Sequence, residues 1–418
     1  MGKVLNVLVS AYACGPNWGS EIGMGWNWVI NLSNYCQLTV ITETGFEKDI
    51  NKKIPELKLK YNPRFHFIDI GEKGRELFWK QGSFLFYWHY KKWQKEALAL
   101  ANGIMVNKKI NILHQLNMIG FREPGFLWKI DNIPFVWGPV GGYNQVPWAY
   151  ISKMNISNLM FYSVKNVINL FQIKLLTRPK KAAKSSTILF AANDESAGHL
   201  KKYINDNLIV LNETGCGLVT ETVFDNPTRN KTLKILWVGR LQGLKALPIA
   251  LETLSLLKGN INFNFTIVGD GPDEEKCKKL VAKLGLSDKV IWKGRIANDE
   301  VIRIMRNSDF LFFTSLKEGT PHVVTEAIQN GLPVLCHDSC GHGTVINEHC
   351  GVKIPMINFF QSVLQFKQEI EKFADNPKQL LILSKGAYER AHELSWDLKA
   401  KFMYQKYLEV LQQNEKNN

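Results

Sequence analysis

The strongest constraint on the fold is an alternation of apolar runs and helical stretches that passes along the chain twice. Several runs are continuously apolar, which is typical of parallel strands covered on both faces by helices. The strands predicted in the first series are Leu5–Ser10, Leu38–Thr42, Phe65–Ile70, Ile110–Gln115, Phe135–Gly138, Thr187–Ala191 and Leu208–Leu211. Those of the second are Lys234–Val238, Phe263–Val268, Val290–Lys293, Phe310–Thr314 and Pro333–Cys336, with helices after Leu244, Asp273, Asn298 and Pro321. Two such series predict an α/β protein with two doubly wound, Rossmann-like domains facing each other across a cleft.

The two series are separated by a polar stretch that contains Gly215, Gly217 and Pro227. Such residues interrupt regular structure, so we place a domain boundary there. The predicted organisation is an N-terminal domain over residues 1–215, a linker over 216–232, a C-terminal domain over 233–393 and a final helix over 394–418. Ligands of doubly wound sheets bind outside the carboxyl ends of the strands, and this predicts a site in the cleft.

The charge of the chain is positive and unevenly distributed. There are 52 Lys and Arg residues against 38 Asp and Glu, for a net charge of +14. Residues 132–193 contain no acidic residue and seven Lys or Arg, which is half of the surplus. A cluster of this kind indicates an anionic partner, whether lipid, phosphate or nucleic acid.

Composition also excludes several classes of protein. We find no run of about 18 uncharged apolar residues, so no membrane-spanning helix is expected. The seven cysteines are an odd number without the spacing of a disulfide framework, which favours a reducing cytoplasm. The first residues contain a short apolar stretch before Ala13 that could be taken for a signal peptide. Because Asn6 interrupts this stretch, we interpret it as a first strand instead.

The segment most suggestive of chemistry runs from Glu318 to Val334. Glu318 follows an apolar strand, Gly319 permits a tight turn, and Pro321 suits the first turn of a helix that carries Glu326 one turn inside. The start of such a helix offers unpaired N–H groups and a positive dipole end to a phosphate. A nearby carboxylate would accept hydrogen bonds from sugar hydroxyls. The alternative is a solvated glutamate that only stabilises the helix dipole.

This segment resembles the E-x7-E signature of the retaining family-4 glycosyltransferases, which have the two-domain GT-B fold. Other motifs of that family follow in the same order, and they make the resemblance specific. They are Gly19-Ser20-Glu21, Val238-Gly239-Arg240-Leu241 with Lys245, Ile267-Val268-Gly269-Asp270-Gly271-Pro272, Val290–Arg295 and Trp396-Asp397 with Tyr407. The resemblance implies that the last helix returns to the N-terminal domain and that the C-terminal domain binds a nucleotide-sugar donor.

The resemblance also implies roles for individual residues. Arg240 and Lys245 would bind the donor diphosphate and neutralise the charge that develops on it as it leaves. Glu326 would bind the ribose hydroxyls, Glu318 the donor sugar, and His114 would contact the donor from the cleft. The remaining donor-binding positions that it implies are Gly19, Gly239, Gly269, Gly271, Arg295, Gly319 and Thr320. For Arg240 and Lys245 the alternative is an ordinary solvated cation, and for His114 a purely structural role.

No metal or cofactor is expected, and the nucleotide sugar is a substrate. The chain has no D-x-D pair, which argues against transferases that hold a divalent ion to the diphosphate with paired carboxylates. One cluster invites a zinc interpretation, with candidate ligands Cys336, His337, Asp338, Cys340, His342, His349 and Cys350. Its spacing is not that of a zinc site, and Cys336 is better explained as a small core residue.

Two segments of the first half have the composition of membrane-surface elements. Residues 156–184 form a predicted amphipathic helix followed by a basic stretch, and residues 78–93 contain eight aromatics and end in Lys91-Lys92-Trp93. Basic amphipathic helices lie on anionic membrane surfaces. The alternative for both segments is that they pack on the first sheet.

The sequence therefore predicts a retaining glycosyltransferase of cell-surface polysaccharide biosynthesis, acting at the inner face of the cytoplasmic membrane. It would move a sugar from a nucleotide-sugar donor to a glycan or lipid-linked acceptor. One alternative is a sugar-nucleotide epimerase of the same architecture, and another is a non-enzymatic basic protein that binds membrane or nucleic acid. A nucleic-acid partner is not expected, because plain polyanion binding does not require Glu318 and Glu326. A Rossmann dehydrogenase is disfavoured because no G-x-G-x-x-G follows the first strand.

Overall fold

The structure is a computed structural model that describes residues 4–80, 84–152, 154, 156–204, 207–217, 232–319 and 321–417. The chain divides into two compact units, each built around one parallel sheet. Unit 1 comprises residues 1–143, 172–215 and 396–418, and unit 2 comprises residues 144–171 and 216–395.

Unit 1 holds a seven-stranded sheet in the order β3-β2-β1-β4-β5-β6-β7, and its paired strands are parallel. Its strands are β1 Asn6–Ala11, β2 Gln37–Glu43, β3 Arg64–Ile68, β4 Ile112–Asn117, β5 Phe135–Val140, β6 Ile188–Ala191 and β7 Leu208–Val210. Its helices are α1 Ser20–Leu32, α2 Glu47–Lys53, α3 Glu72–Trp79, α4 Phe84–Asn107, α7 Thr177–Ser185, α8 Asp194–Leu200 and α16 Trp396–Asn417.

Unit 2 holds a six-stranded sheet in the order β10-β9-β8-β11-β12-β13, again with parallel pairing. Its strands are β8 Leu233–Val238, β9 Phe263–Val268, β10 Val290–Gly294, β11 Phe310–Phe313, β12 Val334–His337 and β13 Gly351–Ile354. Its helices are α5 Trp148–Ile151, α9 Leu247–Ser255, α10 Glu274–Lys283, α11 Asn298–Arg306, α12 His322–Gln329, α13 Cys340–Val345, α14 Phe359–Asp375 and α15 Pro377–Glu393. The helix α6, Ile156–Leu175, begins in unit 2 and ends in unit 1.

Burial along the strands explains why the chain adopts this architecture. Every residue of β4, β5, β11 and β12 is buried, as expected for central parallel strands covered by helices on both faces. The edge strands β3 and β10 are only partly buried. The predicted α/β class with two doubly wound domains is thereby confirmed. The sequence interpretation missed β13, a four-residue strand whose Lys353 interrupts the apolar pattern.

The division of the chain into two units differs from the predicted domain boundaries at residues 144–171. Residues 144–171 group with unit 2, although the sequence placed residues 1–215 in one domain. The hydroxyl of Tyr150 is 2.6 Å from Oγ of Ser362 on α14, and this ring belongs to the apolar core of unit 2. At the other end, α16 contributes Met403 and Tyr407 to the core of unit 1. Most of the predicted linker, residues 218–231, lies outside the described residues.

The aromatic segment 78–93 divides between interior and surface. Phe86, Tyr90 and Trp93 are buried around Tyr12, with ring centroids 5.0 to 5.8 Å from its ring. On the same helix Trp88 is 67% exposed. Packing around Tyr12 therefore accounts for these three aromatic residues, and residues 81–83 lie outside the described part of the chain.

All seven cysteines are buried and free. In the parts of the chain that the structure describes, no helix combines the length and the apolar character needed to cross a membrane.

Candidate active site

The centre of the candidate site is an ion pair between Lys245 and Glu318 in unit 2. Lys245 ends a short 3₁₀ turn after β8, and its Nζ atom donates to Oε1 of Glu318, which follows β11. Oγ of Ser315 donates to the same carboxylate oxygen at 2.5 Å. Both charged side chains are 18% exposed. The ammonium of Lys245 also lies 5.6 Å from the ring centroid of Phe313, within the range of a cation–π contact. The sequence motifs thus meet in space, where β8 and β11 end.

The backbone of Lys245 is fixed by the neighbouring strand. Oγ1 of Thr314 donates to the carbonyl oxygen of Lys245 at 2.8 Å and accepts from Nε1 of Trp237 at 3.1 Å. The amide of Leu316 donates to the carbonyl oxygen of Leu244 at 2.8 Å. Trp237 and Thr314 are fully buried. The loop that carries the ammonium is therefore anchored in the core, which suits a group that has to be preorganised.

Helix α12 places Glu326 one turn from its start. Pro321 occupies the N-cap position and makes no side-chain hydrogen bond to the first turn, so the helix start carries no side-chain cap. Glu326 lies on the half-buried face of the helix together with His322. Burial raises the pKa of the Glu326 carboxyl and lowers the pKa of the His322 imidazole. A carboxylate beside an uncapped helix start matches the arrangement expected from the sequence.

The two predicted arginines are on the surface of unit 2. Arg240 is the second residue after β8, Arg295 follows β10 directly, and both are exposed. Gly319 is also exposed, whereas Thr320 lies outside the described residues. Exposure leaves Arg240 accessible to a ligand but does not by itself assign it a role. The donor-binding roles of these four residues remain predictions.

The motif Ile267-Val268-Gly269-Asp270-Gly271-Pro272 contains two glycines whose backbone conformation and close packing explain why glycine is needed there. Gly269 and Gly271 have φ values of +128° and +155°. A Cβ atom on Gly269 would lie 2.0 Å from the carbonyl oxygen of Gly239, and one on Gly271 would lie 2.4 Å from that of Leu241. The amide of Leu241 donates to the carbonyl oxygen of Asp270 at 2.7 Å. These glycines therefore allow the loop after β9 to pack directly on the loop after β8, which carries Lys245.

Replacing Gly269 by alanine is expected to lower the free energy of unfolding by about 3 kcal/mol, because the new Cβ would overlap backbone and the φ is unfavourable. Gly294 is a matched control, since its φ is +62° but nothing lies within 4 Å of a Cβ there. Gly294→Ala should cost only about 1 kcal/mol from the backbone conformation. Thermal unfolding of both variants measures the difference. Equal destabilisation would show that loop contact is not the reason for Gly269.

His114, for which a donor contact is predicted, has no accessible surface in this structure. It is fully buried in β4. Its Nε2 atom donates to the carbonyl oxygen of Gly138 at 2.7 Å, which leaves Nδ1 to accept from the hydroxyl of Tyr407 at 2.6 Å. Burial lowers the pKa of His114 to about 4. The structure thus supports the structural alternative, in which a neutral imidazole ties the first sheet to α16.

The stability of unit 1 should accordingly depend on pH through His114. Its pKa is about 4 when folded and about 6.5 as an ordinary histidine, so the folded state binds fewer protons between these values. The stabilising contribution is fully present above pH 6.5 and falls by about 1.4 kcal/mol per unit as the pH decreases towards 4. We expect His114→Gln to be less stable at neutral pH but to show a shallower decrease on acidification. Parallel melting curves across this range would contradict the assignment.

The N-terminal motif of unit 1 contains a glutamate that was not among the predicted site residues. Gly19 is the exposed N-cap of α1, with open space around a hypothetical Cβ. Two residues on, Oε1 of Glu21 accepts a hydrogen bond from the amide of Ile119 at 2.6 Å. Burial raises the pKa of Glu21 to about 7. In the sequence, the only feature that drew attention to Glu21 was its position as the last residue of the motif Gly19-Ser20-Glu21.

The cysteine and histidine cluster shows no metal-binding arrangement. Among the described residues there is no group of three His, Cys, Asp or Glu side chains placed to hold a metal ion. His342 instead packs edge-on against Phe313, with ring centroids 5.1 Å apart. Burial lowers its pKa to about 3, with a smaller contribution from nearby cations that include Lys245. A neutral, buried imidazole next to the lysine site is a feature that the sequence did not reveal.

Solved structures with the same architecture define the fold class. The lipopolysaccharide outer core galactosyltransferase WaaB in its apo form aligns with 98% of this chain and 100% of its own, at a TM-score of 0.63 and 14% identity. Anabaena Alr3699/HepE in complex with UDP aligns with 96% of this chain and 99% of its own, at a TM-score of 0.60 and 11% identity. Identities this low establish the fold alone. The predicted GT-B class, with two Rossmann-like units, is confirmed.

Sequence similarity is concentrated in the second unit. Residues 219–390 match the model of the family described as Glycosyl transferases group 1. Lipopolysaccharide 1,6-galactosyltransferase of Escherichia coli (strain K12) is 30% identical over 122 residues, which are 28% of this chain and 33% of that protein. Protein CapJ of Staphylococcus aureus is 24% identical over 58% of this chain and 54% of its own. The chain thus spans between a third and about half of the length of these curated relatives. The matched segment contains Lys245, Glu318 and Glu326.

Proposed function

We propose that the protein is a retaining glycosyltransferase that moves a sugar from a nucleotide-sugar donor to a glycan or lipid-linked acceptor of the cell surface. The observation that carries this proposal is the anchored Lys245–Glu318 pair, in the same unit as the α12 helix start and Glu326. This combination offers a fixed cation, a phosphate-binding helix end and carboxylates for hydroxyl groups. The match of residues 219–390 to the group 1 glycosyl transferases supports the same chemistry.

In this proposal, unit 2 binds the donor. Lys245 and Arg240 neutralise the charge that develops on the nucleoside diphosphate as the bond to the sugar breaks. Lys245 is already paired with Glu318, so a diphosphate would have to draw the ammonium away from that carboxylate or share it. Glu318 then becomes available to accept hydrogen bonds from the donor sugar, and Glu326 accepts them from the ribose hydroxyls. No metal takes part in the proposed donor binding.

Retention is proposed to proceed by attack on the face that the leaving group vacates. The acceptor hydroxyl oxygen forms a bond to the anomeric carbon while the bond from that carbon to the phosphate oxygen breaks. The acceptor proton passes to the departing diphosphate. His114 has no part in this step, because both of its ring nitrogens are occupied in the core of unit 1.

The acceptor is proposed to be a growing surface glycan or its lipid carrier. The support is that similar proteins are named as lipopolysaccharide 1,6-galactosyltransferases and as an amylovoran biosynthesis glycosyltransferase. Unit 1 would bind this acceptor at the inner face of the cytoplasmic membrane.

The function is tested by product analysis. The full chain is incubated with a series of nucleotide sugars and with lipid-linked glycan acceptors, and the product is analysed by NMR of the anomeric proton. We expect a new glycosidic bond with the anomeric configuration of the donor. An inverted product would overturn the retaining mechanism, and conversion of the donor alone to its epimer would favour the epimerase. If no pair of donor and acceptor reacted, the proposed transferase activity would be wrong.

A further inference from the structure

Helix α6 has its apolar face turned towards solvent. Its exposed apolar side chains recur at spacings of three and four residues, so they form one continuous stripe along the helix. They are Ile156, Met160, Phe161, Val164, Val167, Ile168, Phe171 and Leu175, with exposures from 42% to 78%. Scattered apolar residues on a surface are ordinary, but a contiguous stripe of this length indicates an interaction surface.

The opposite face of α6 is the one that is anchored to the protein. Asn166 is 1% exposed, and its amide pairs with the backbone of Val146 through two hydrogen bonds of 3.2 and 2.7 Å. Nδ2 of Asn169 donates to the carbonyl oxygen of Asn144 at 3.4 Å. Tyr162 is buried on the same side. The usual orientation of a surface helix, with its apolar face inward, is thus reversed.

Cations border the stripe. Lys165 lies 5.5 Å from the ring centroid of Phe161 within the helix. Lys174, near the end of the same helix, is also exposed. Arg178 is not part of this set, because it pairs with Glu123. Residues 132–193 contain no Asp or Glu, so the chain brings no acidic residue of its own to this segment.

This pattern fits an anionic bilayer better than a second copy of the chain. A two-fold contact between two copies would place the same lysines against each other, without acidic residues from this segment to compensate them. An anionic membrane surface provides both an apolar layer for the stripe and negative head groups for the lysines. Since no described helix is suited to cross a membrane, α6 would lie in the plane of the interface.

We propose that the outward face of α6 docks the protein on the surface of an anionic lipid bilayer. The apolar stripe enters the boundary between head groups and acyl chains, while Lys165 and Lys174 of the same helix contact the head groups. This inference stands on the geometry of α6 and is independent of the proposed transferase activity.

The first test measures by flotation how two variants of the full chain, Val164→Asp and Ile382→Asp, bind to vesicles. The vesicles contain phosphatidylcholine with phosphatidylglycerol. Val164 is 57% exposed in the stripe, and Ile382 on α15 is 67% exposed outside it. We expect Val164→Asp to lower the vesicle affinity at least about tenfold, from lost apolar burial, and Ile382→Asp to leave it unchanged. Since both side chains are exposed, both variants should fold, and their melting curves check this.

The second test removes charge. Lys165 and Lys174 of α6 are changed together to glutamine, and the exposed lysines Lys48 and Lys52 of α2 serve as the control. At about 1 kcal/mol for each lysine at an anionic surface, the α6 variant should lose roughly thirtyfold in affinity. The proposal would be overturned if the unchanged protein bound neutral phosphatidylcholine vesicles as tightly as the anionic vesicles. It would also be overturned if the α6 lysine variant and the control variant both bound the anionic vesicles as tightly as the unchanged protein. A dimer that Val164→Asp dissociates, in a protein that does not bind vesicles, would overturn it as well.

Discussion

Replacing Lys245 by alanine is expected to lower the kcat/KM of sugar transfer by about a thousandfold, because one preorganised charge near the leaving group is lost. The structure holds this ammonium in place through Glu318, through the Phe313 ring and through a backbone carbonyl bonded to the buried Thr314. A mobile surface lysine would not have this precision of position. The variant should still fold, since the Lys245 side chain is partly exposed and does not belong to an apolar core.

The matched control is Lys283→Ala, which removes an exposed lysine near the end of α10 in the same unit. Its activity should equal that of the unchanged protein. Steady-state kinetics with a saturating acceptor separates the two variants, and their melting temperatures report on folding. If Lys245→Ala retained full activity, the assignment of the phosphate site to this loop would be wrong.

Glu326→Ala is the second substitution with a large expected effect, and it should act on donor affinity. A carboxylate that accepts hydrogen bonds from sugar hydroxyls contributes about 1.5–3 kcal/mol, so affinity should fall roughly ten- to hundredfold. Burial raises the pKa of Glu326, which shows that its surroundings do not favour the charged form. Hydroxyl donors from a ligand would restore that stabilisation. Isothermal titration with the nucleotide sugar measures the loss.

Two further variants make the Glu326 result interpretable. Glu326→Gln preserves the shape of the side chain but not its charge, and it should bind the donor with intermediate affinity. Glu348→Gln changes a glutamate that is 82% exposed and should leave binding unaltered. Donor affinity that does not differ between Glu326→Ala and Glu348→Gln would remove Glu326 from the site.

The sequence predicted the sheets well because apolar runs record burial on both faces. The strands β5 and β11, for example, are continuous apolar stretches whose residues are all buried. It failed for β13, where a short strand with a lysine carries little of this signal. The boundary between the units was also difficult to predict, because Tyr150 joins the core of unit 2 through a partner more than 200 residues later.

The site was partly predictable for a related reason. Lys245 and Glu318 both follow parallel strands of one sheet, so their proximity follows from topology. The hydrogen bond from Ser315 and the contact of His342 with Phe313 depend on side-chain packing, which has no periodic signature. His114 illustrates the reverse case. It stands in a central strand, but its partner Tyr407 is 293 positions away on the last helix.

Helix α6 shows a different limit of sequence reasoning. Its apolar periodicity correctly predicted a helix, and the acid-free composition indicated an anionic partner. Periodicity does not tell which face turns inward, however. That choice is made by Asn166 and Asn169, whose amides bond to backbone of residues 144–146.

Unit 2 is proposed to bind a nucleotide sugar through Lys245 and Glu326. Thermal unfolding of the full chain with a panel of nucleotide sugars tests it most directly, because a ligand at a hundred times its Kd stabilises the folded state by about 2.7 kcal/mol. We predict that at least one nucleotide sugar raises the melting temperature in a concentration-dependent manner, and that Lys245→Ala and Glu326→Ala reduce this shift. The account is contradicted if no nucleotide sugar stabilises the protein, or if both variants show the full shift.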